Sequence, residues 1–543
     1  MKRFLPILLL FGATASAQTP AVNRVEPSAA PPGRRAEVEL RGAGLSKDAT
    51  FWTSFDAESI VATASSSGDE LTLKLTVPQT TQVGVHALRV ATGGGVSGLV
   101  PFMVDDLPTV REAGGNASAS GAQAIDTPVA VDGACDALAS DFYRFKVDAG
   151  QRRSFEVVAA RLGSQLDPVL RLLDSTGREL KWADDSPGAG ADCRFAHTFE
   201  RAGEYTLELR DAGHEGGPAH RYRLRVGDFP LPVVTYPLGG RSGGAGLFQF
   251  LGEACDGVPP SLAVLPAEAD RFVVAGRRAG GVGAGAGFAP VVVSDLDETV
   301  EAEPNDRTEQ ATPLAVPAAA SGRFESAGDV DFYKLKMRKG ERFSFRAASR
   351  TLGSACDVRL SLRRADGSKV AESKVEGPAD AALDATAGDE GTYYLRVEEL
   401  TSAGGPALAY RLEAEPHRPG FALSLETDTI NTSPGGEFSL KVNCTRRDFG
   451  GAVTLSVRGL DPSPAIEGAT IPAGKNETQL KVKLRKETPP GLRMVHVVGT
   501  ATVDGREISE TAGTGAALAK VFPRMLVPPV EFGGEVAVGV RGK

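Results

Sequence analysis

The side chains of this chain best suited to chemistry are six oxygen donors within residues 301–331. Four lie in one short acidic segment, 301–306, and two begin the next motif: Glu301, Glu303, Asn305, Asp306, Asp329 and Asp331. Calcium takes roughly six to eight oxygen ligands from carboxylates, amide carbonyls and the backbone. If the acidic segment folds back on the domain that follows it, these side chains converge on a calcium site. The alternative is a solvated linker, with Asp331 fixing a turn before a strand.

The other motifs predict neither a catalytic nor a cofactor-binding residue, so we expect a protein that is not an enzyme. The sequence Gly-Arg-Ser-Gly-Gly at 240–244 matches a nucleophile pattern but lacks the strand–turn–helix context, which favours a plain turn. The histidines show no paired metal spacing, and the Gly-rich stretch 280–287 lacks a P-loop lysine. Trp52 and Trp182 could stack on sugar rings, but a lone tryptophan of a β-sandwich more often belongs to its core or rim.

The chain contains a long internal repeat. Asp-Phe-Tyr at 141–143 returns at 331–333, and Tyr-Arg-Leu at 222–224 returns at 410–412. A unit of this length exceeds solenoid periods and indicates duplicated whole domains. The first copy keeps Asp141 but has Ala139 near the position of Asp329, so we expect no calcium site there.

Alternating apolar and polar residues predict the fold class. Segments such as 71–77, 205–209 and 438–442 alternate with period two, as half-buried antiparallel strands do. The 64 glycines and 35 prolines, beside 41% hydrophobic residues, suit many short strands joined by turns. We predict an all-β chain, a string of antiparallel β-sandwich domains of immunoglobulin-like and jelly-roll-like type.

Composition shifts and proline clusters divide the chain. We predict a first module at 20–107, a first repeat domain at 108–228, a Gly-rich module at 231–296, a second repeat domain at 300–415, a last module at 420–513 and a tail at 514–543. Five cysteines are too few and too scattered for a disulfide scaffold. Only Cys135 and Cys193 share a predicted domain, where they either bridge or remain two buried thiols.

The first residues predict export. A positive Lys2-Arg3 pair precedes an apolar run, and an A-x-A cleavage pattern ends at Ala17, so 1–17 is a signal peptide. No later run of about 18 apolar residues indicates membrane insertion. A net charge of -9 without a basic stripe argues against nucleic acid as a partner. We expect a secreted or periplasmic protein.

Several motifs carry a family resemblance. Glu-Pro-Asn-Asp at 303–306, Asp-Val-Asp-Phe-Tyr at 329–333 and Gly-Thr-Tyr-Tyr at 391–394 resemble the bacterial pre-peptidase C-terminal domain, a β-sandwich of exported proteins. The copy at 108–228 is similar but opens with Glu112 and Asn116 around two glycines. The module at 20–107 resembles an immunoglobulin-like IPT/TIG domain, the one at 231–296 a diverged relative, and that at 420–513 a generic immunoglobulin-like module. The resemblance implies calcium at the acidic segment, because some pre-peptidase-type domains on collagenases bind it there.

These features predict an exported, non-catalytic protein that binds or spaces extracellular protein or polysaccharide, with a calcium-stiffened joint before the second repeat domain. The alternative is an accessory or truncated relative of a secreted subtilase-type protease that lacks its catalytic domain. A structural cell-envelope component with no discrete ligand is a further possibility.

Overall fold

The computed structural model describes residues 18–267, 269–279, 284–374, 379–525 and 532–542 of the 543. Strands make up 53% of the chain and helix 3%, which confirms the predicted all-β class. The proposed signal peptide at 1–17 lies outside the described residues. Within the described ranges, no helix combines the length and apolar character needed to cross a bilayer.

The first module is a two-sheet sandwich. Its sheets enclose a core to which Leu71, Leu73 and Leu75 contribute alternate, fully buried side chains. The strands are Ala21–Glu26, Ala29–Ala30, Arg35–Ala43, Thr50–Thr53, Glu58–Ala64, Glu70–Thr76, Gly84–Thr92, Gly95–Val96 and Val100–Val104.

The two repeat domains have one topology, with two five-stranded sheets whose strand orders correspond one to one. In each domain the two short leading strands pair in parallel with their neighbours, and the other pairs are antiparallel. The first consists of Thr109–Arg111, Gln123–Ala124, Val129–Ala134, Asp141–Val147, Arg152–Val158, Pro168–Leu173, Glu179–Ala183, Arg194–Thr198, Gly203–Asp211 and Arg221–Gly227, with 3-10 turns Ala119–Gly121 and Ala160–Leu162. The second consists of Glu298–Val300, Thr312–Pro313, Ala318–Arg323, Val330–Met337, Arg342–Ala348, Val358–Arg364, Lys369–Glu372, Ala381–Thr386, Gly391–Glu399 and Ala409–Pro416, with the 3-10 turn Arg350–Leu352.

The Gly-rich module has two three-stranded sheets. Its strands are Leu231–Tyr236, Gly239–Arg241, Ala245–Glu253, Ser261–Val264, Arg271–Gly276 and Gly287–Ser294. Residues 280–283 of the Gly-rich stretch 280–287 lie outside the described residues.

The last module extends beyond its predicted end at 513. Strand Val536–Val540 lies between Thr429–Thr432 and Gly491–Val503, so this part of the predicted tail belongs to the sheet. Helix Gly515–Val521 precedes it. The other strands are Gly420–Leu425, Glu437–Arg447, Val453–Arg458, Ala465–Glu467, Thr470–Ile471, Glu477–Lys483 and Arg506–Thr511.

The first and last modules contact each other. Asn431 accepts a hydrogen bond from the backbone N–H of Val96 at 2.7 Å and donates one to its carbonyl at 2.9 Å, as a paired strand would. The buried Arg89 guanidinium donates to Asp428 at 2.8 Å and to Thr429 at 2.7 Å. Side-chain hydrogen bonds therefore connect the first module to the last module.

The cysteines form no disulfide. All five are free thiols, and Cys135 and Cys193 are both buried in the core of the first repeat domain. Burial raises the pKa of the Cys193 thiol, so it is kept protonated and unreactive.

Candidate metal site at the joint before the second repeat domain

The acidic segment folds back onto the second repeat domain, as convergence of its side chains requires. Glu301 follows the edge strand Glu298–Val300, and its N–H donates to the Ser321 carbonyl at 3.0 Å. Its carboxylate Oε1 accepts from the Arg323 N–H at 2.7 Å. The Asn305 carbonyl accepts from the Phe332 N–H at 3.1 Å, which places the segment beside the strand that carries Asp331.

Three carboxylates meet there, and the Asn305 amide nitrogen donates to Glu301 Oε2 at 3.4 Å. Oxygen atoms of Glu301, Glu303 and Asp331 all lie within 4.8 Å of one another. Asn305 and Asp331 are completely buried, yet Oδ1 of each has no hydrogen-bond partner among the described residues. Buried oxygens are nearly always satisfied, so this pair points to a missing ligand.

Three tyrosine hydroxyls surround the carboxylates. Tyr410 donates to Asp331 Oδ2 and lies 3.0 Å from the Tyr333 hydroxyl, which is 3.4 Å from Glu301 Oε2. The third is Tyr236 of the preceding Gly-rich module, whose hydroxyl lies 3.3 Å from Glu301 Oε1. The Arg323 guanidinium lies over the ring of Tyr236, with its Cζ 5.2 Å from the ring centroid. The site therefore spans the joint between the Gly-rich module and the second repeat domain.

The carboxylates are held without a compensating cation. None of the ion pairs among the described residues includes Glu301, Glu303 or Asp331. Burial raises the pKa of Glu301 to about 7. Burial, and then the charge of Glu301, raises the pKa of Asp331 to about 9. Without a cation the site therefore retains protons at neutral pH, and a cation could take their place.

Asp306 and Asp329 form an adjoining pair outside this group of three. The Asp329 carboxylate accepts from the Glu325 N–H at 2.6 Å and is hydrogen-bonded to Asp306. Burial raises the pKa of Glu303, and the nearby charges of Asp329 and Asp306 raise it further. Of the six residues predicted from the sequence, three bring their carboxylate oxygens together, Asn305 contacts Glu301 through its amide nitrogen, and Asp306 and Asp329 lie beside them.

The first repeat domain contains a reduced version of the site. The Glu112 carboxylate accepts from the Ala134 N–H at 3.0 Å, and Tyr222 donates to Asp141 at 2.8 Å. Gly114 stands where the second copy has Glu303, so only two carboxylates remain. Burial, with the charge of Glu112, raises the pKa of Asp141 to about 7. The spacing from Glu112 to Asn116 equals that from Glu301 to Asn305, and this signal could have identified the pair.

A second acidic group has a cation already. Carboxylate oxygens of Asp167, Asp184 and Asp185 lie within 4.8 Å of one another. Arg524 is 2.9 Å from Asp167 and supplies the positive charge. Asp184 and Asp185 follow strand Glu179–Ala183 in a loop, and the sequence alone does not indicate that Asp167 lies beside them.

The apparent nucleophile motif is a turn. Ser242 lies between strands Gly239–Arg241 and Ala245–Glu253, and its hydroxyl donates to the Ala267 carbonyl at 2.9 Å. A nucleophile elbow requires a helix after the serine. The motif therefore offers no activated hydroxyl.

Comparison with known proteins adds little at the level of sequence. No protein-family model matches the chain, and no curated protein does. Similar solved structures include a protein from Eubacterium rectale predicted to be secreted, with 10% identity, a TM-score of 0.17, and coverage of 34% of this chain and 75% of that one. The four N-terminal immunoglobulin domains of Dscam1 share 10% identity, with a TM-score of 0.16 and coverage of 92% and 96%. A DUF4785 family protein from Legionella pneumophila shares 8%, with a TM-score of 0.14 and coverage of 36% and 63%.

Proposed function

We propose that this chain is an exported, non-catalytic β-sandwich protein that binds extracellular protein or polysaccharide. In this proposal Glu301, Glu303, Asn305 and Asp331 hold a calcium ion that stiffens the joint before the second repeat domain. The observation that carries it is the buried, unpartnered Asp331 Oδ1 within a group of three carboxylates that has no cation, next to the buried Asn305 side chain, whose rotation would present its own unpartnered Oδ1.

The donor set suits calcium. Hard cations of this kind prefer carboxylate and amide oxygens, and backbone or water oxygens complete a coordination number of about six to eight. Glu301 and Asp331 bring negative charge to a buried place where it is otherwise unfavourable, and the exposed Glu303 adds a third carboxylate. Bound calcium would supply the missing positive charge and fix the orientation of these four side chains.

Calcium would act on the joint through Tyr236. This residue belongs to the Gly-rich module, while its hydroxyl contacts Glu301 and lies 3.2 Å from the Ser321 carbonyl, both in the second repeat domain. A Glu301 carboxylate held by calcium would give the Tyr236 hydroxyl of the preceding module a hydrogen-bond acceptor in a fixed position. A stiff joint would hold the repeated domains at a set separation, which raises the apparent affinity of tandem modules for one polymer.

Calorimetric calcium titration of the full mature chain tests this proposal. We expect one sub-millimolar site in the wild type, which the double variant Glu303→Ala, Asp331→Ala loses. Asp141→Ala, at the equivalent place in the first copy, is the matched control and should keep the site. Absence of binding in the wild type, or equal binding in the double variant, would reduce the acidic segment to a linker.

A further inference from the structure

The contact between a leading module and a repeat domain occurs twice in this chain. The first joint connects the module at 20–107 to the first repeat domain, and the second connects the Gly-rich module to the second repeat domain. The two joints differ in their side chains. The Ser28 N–H donates to the Asp132 carboxylate at 2.7 Å in the first joint, and the Leu238 N–H donates to Ser321 Oγ at 2.9 Å in the second. These matching contacts, together with the strand pairings, align the two joints residue by residue. The aligned pairs are Arg24 with Val234, Glu26 with Tyr236, Arg111 with Val300, and Arg221 with Ala409.

The second joint is filled. Val234 and Ala409 are buried in an apolar cluster with Leu238, Leu251 and Leu352, and Tyr236 packs against it. Val234, Tyr236 and Ala409 therefore serve packing between the Gly-rich module and the second repeat domain, whereas Val300 is exposed.

The first joint encloses a cavity of about 420 Å³ instead. Arg24, Arg111 and Arg221 line it, at positions where the second joint has apolar residues. The lining also includes the apolar side chains of Pro101, Leu162 and Phe522. The volume falls in the range of small-molecule sites, roughly 300–1,000 Å³.

The three arginines of the cavity are unevenly paired with its three carboxylates, Glu26, Glu112 and Asp132. Arg24 and Arg111 share one carboxylate oxygen of Glu26, at 3.0 Å and 3.5 Å. The hydrogen bond of Arg221 goes to the neutral backbone carbonyl of Asn23, and among the described residues no ion pair includes Arg221.

Burial, and next the charge of Arg24, lowers the pKa of Arg221 from its ordinary value. Of the two other lining carboxylates, Asp132 pairs with Arg223 at 2.9 Å, while Glu112 accepts from the Ala134 N–H and has no ion pair among the described residues. A partly buried guanidinium beside a second one is a place where an anion is favourable.

We propose that this cavity binds a small organic carboxylate with an apolar body. The guanidinium of Arg221, with that of Arg24, receives the carboxylate, because the planar guanidinium donates paired hydrogen bonds to it. The apolar body lies against Leu162, Pro101 and Phe522. The first joint is therefore a ligand site, whereas apolar side chains fill the second joint.

Isothermal titration of the full mature chain with N-acetyl-L-phenylalanine tests this assignment, with its uncharged amide and with acetate as comparison ligands. We expect the carboxylate to bind at least about tenfold more tightly than the amide, since only the carboxylate pairs with the guanidinium. Acetate, which lacks the apolar body, should bind more weakly than the full probe. A chelator should leave the binding unchanged, which separates this site from the calcium proposal.

Arg221→Gln should weaken binding of the probe by about tenfold or more, because it removes the unpaired guanidinium. Arg24→Gln, a half-exposed position, provides a second variant if Arg221→Gln fails to fold. Arg144→Gln, an equally exposed arginine of the first repeat domain outside the cavity, is the control and should change nothing. Absence of binding, equal affinity for carboxylate and amide, or full affinity in both cavity variants would overturn the proposal.

Discussion

Replacement of Glu301 by glutamine should have opposite effects with and without calcium. In the calcium-free chain Glu301 is a largely buried carboxylate with no ion-pair partner and with Asp331 beside it. Glutamine keeps an oxygen for the Arg323 N–H, and rotation of the Asn305 amide, whose Nδ2 now donates to Glu301 Oε2, would present its unpartnered Oδ1 to the glutamine NH2. Removal of the charge should therefore stabilise the empty site while it removes a calcium ligand.

The magnitude follows from the pKa of Glu301, which folding raises from an ordinary value of 4.5 to about 7. Because the folded chain holds this proton more tightly, its stabilising effect is complete below the unfolded pKa and is lost as pH rises through the folded pKa. At about pH 8 the carboxylate destabilises the calcium-free fold by on the order of 3 kcal/mol. Glu301→Gln should remove this cost.

Differential scanning calorimetry at about pH 8, in chelator and in millimolar calcium, measures both effects. We expect the variant to melt above the wild type in chelator and to show no calcium-dependent rise. Wild-type calcium binding at a hundredfold excess over Kd contributes about 2.7 kcal/mol. Glu112→Gln in the first copy is the control for calcium dependence and should retain the rise. A variant that melts lower in chelator, or that still responds to calcium, would refute this reasoning.

Three further predictions concern the whole chain. Asp428→Ala should destabilise the contact between first and last modules by about 3 kcal/mol, because it leaves the buried Arg89 without its carboxylate; denaturant melts measure this, and the exposed Asp448→Ala should change little. Tyr236→Phe should keep calcium binding but lower stability by about 1 kcal/mol, through the lost hydrogen bond to Glu301. The mature chain should sediment with collagen or insoluble cell-wall polysaccharide and leave casein and gelatin intact; proteolysis would favour the protease-related alternative.

Much of the β architecture could be predicted because half-buried strands alternate. Leu71, Leu73, Leu75 and Val77 are all buried while the residues between them are not, as the pattern predicts. The repeat likewise predicted two domains of one topology. Strand Val536–Val540 was missed because all five of its residues are buried, so it shows no alternation and its sequence does not resemble a surface strand.

The acidic side chains of the candidate site were predictable, since their types and spacing stand in one short stretch of sequence. Tyr236 was not, because it lies 65 residues from Glu301 and belongs to another module. The same holds for the arginines of the first joint: Arg24, Arg111 and Arg221 meet only after two modules and a strand pairing bring them together. Contacts across joints depend on tertiary packing, which local patterns do not encode.

Hydrogen exchange across the second joint, measured with and without calcium, tests the account most directly. We predict that calcium slows exchange in 301–333 and also in the strand Leu231–Tyr236 of the preceding module, with the second effect reduced in Tyr236→Phe. Protection confined to 301–333 would show a calcium site that does not stiffen the joint. No protection in either segment would contradict the calcium proposal itself.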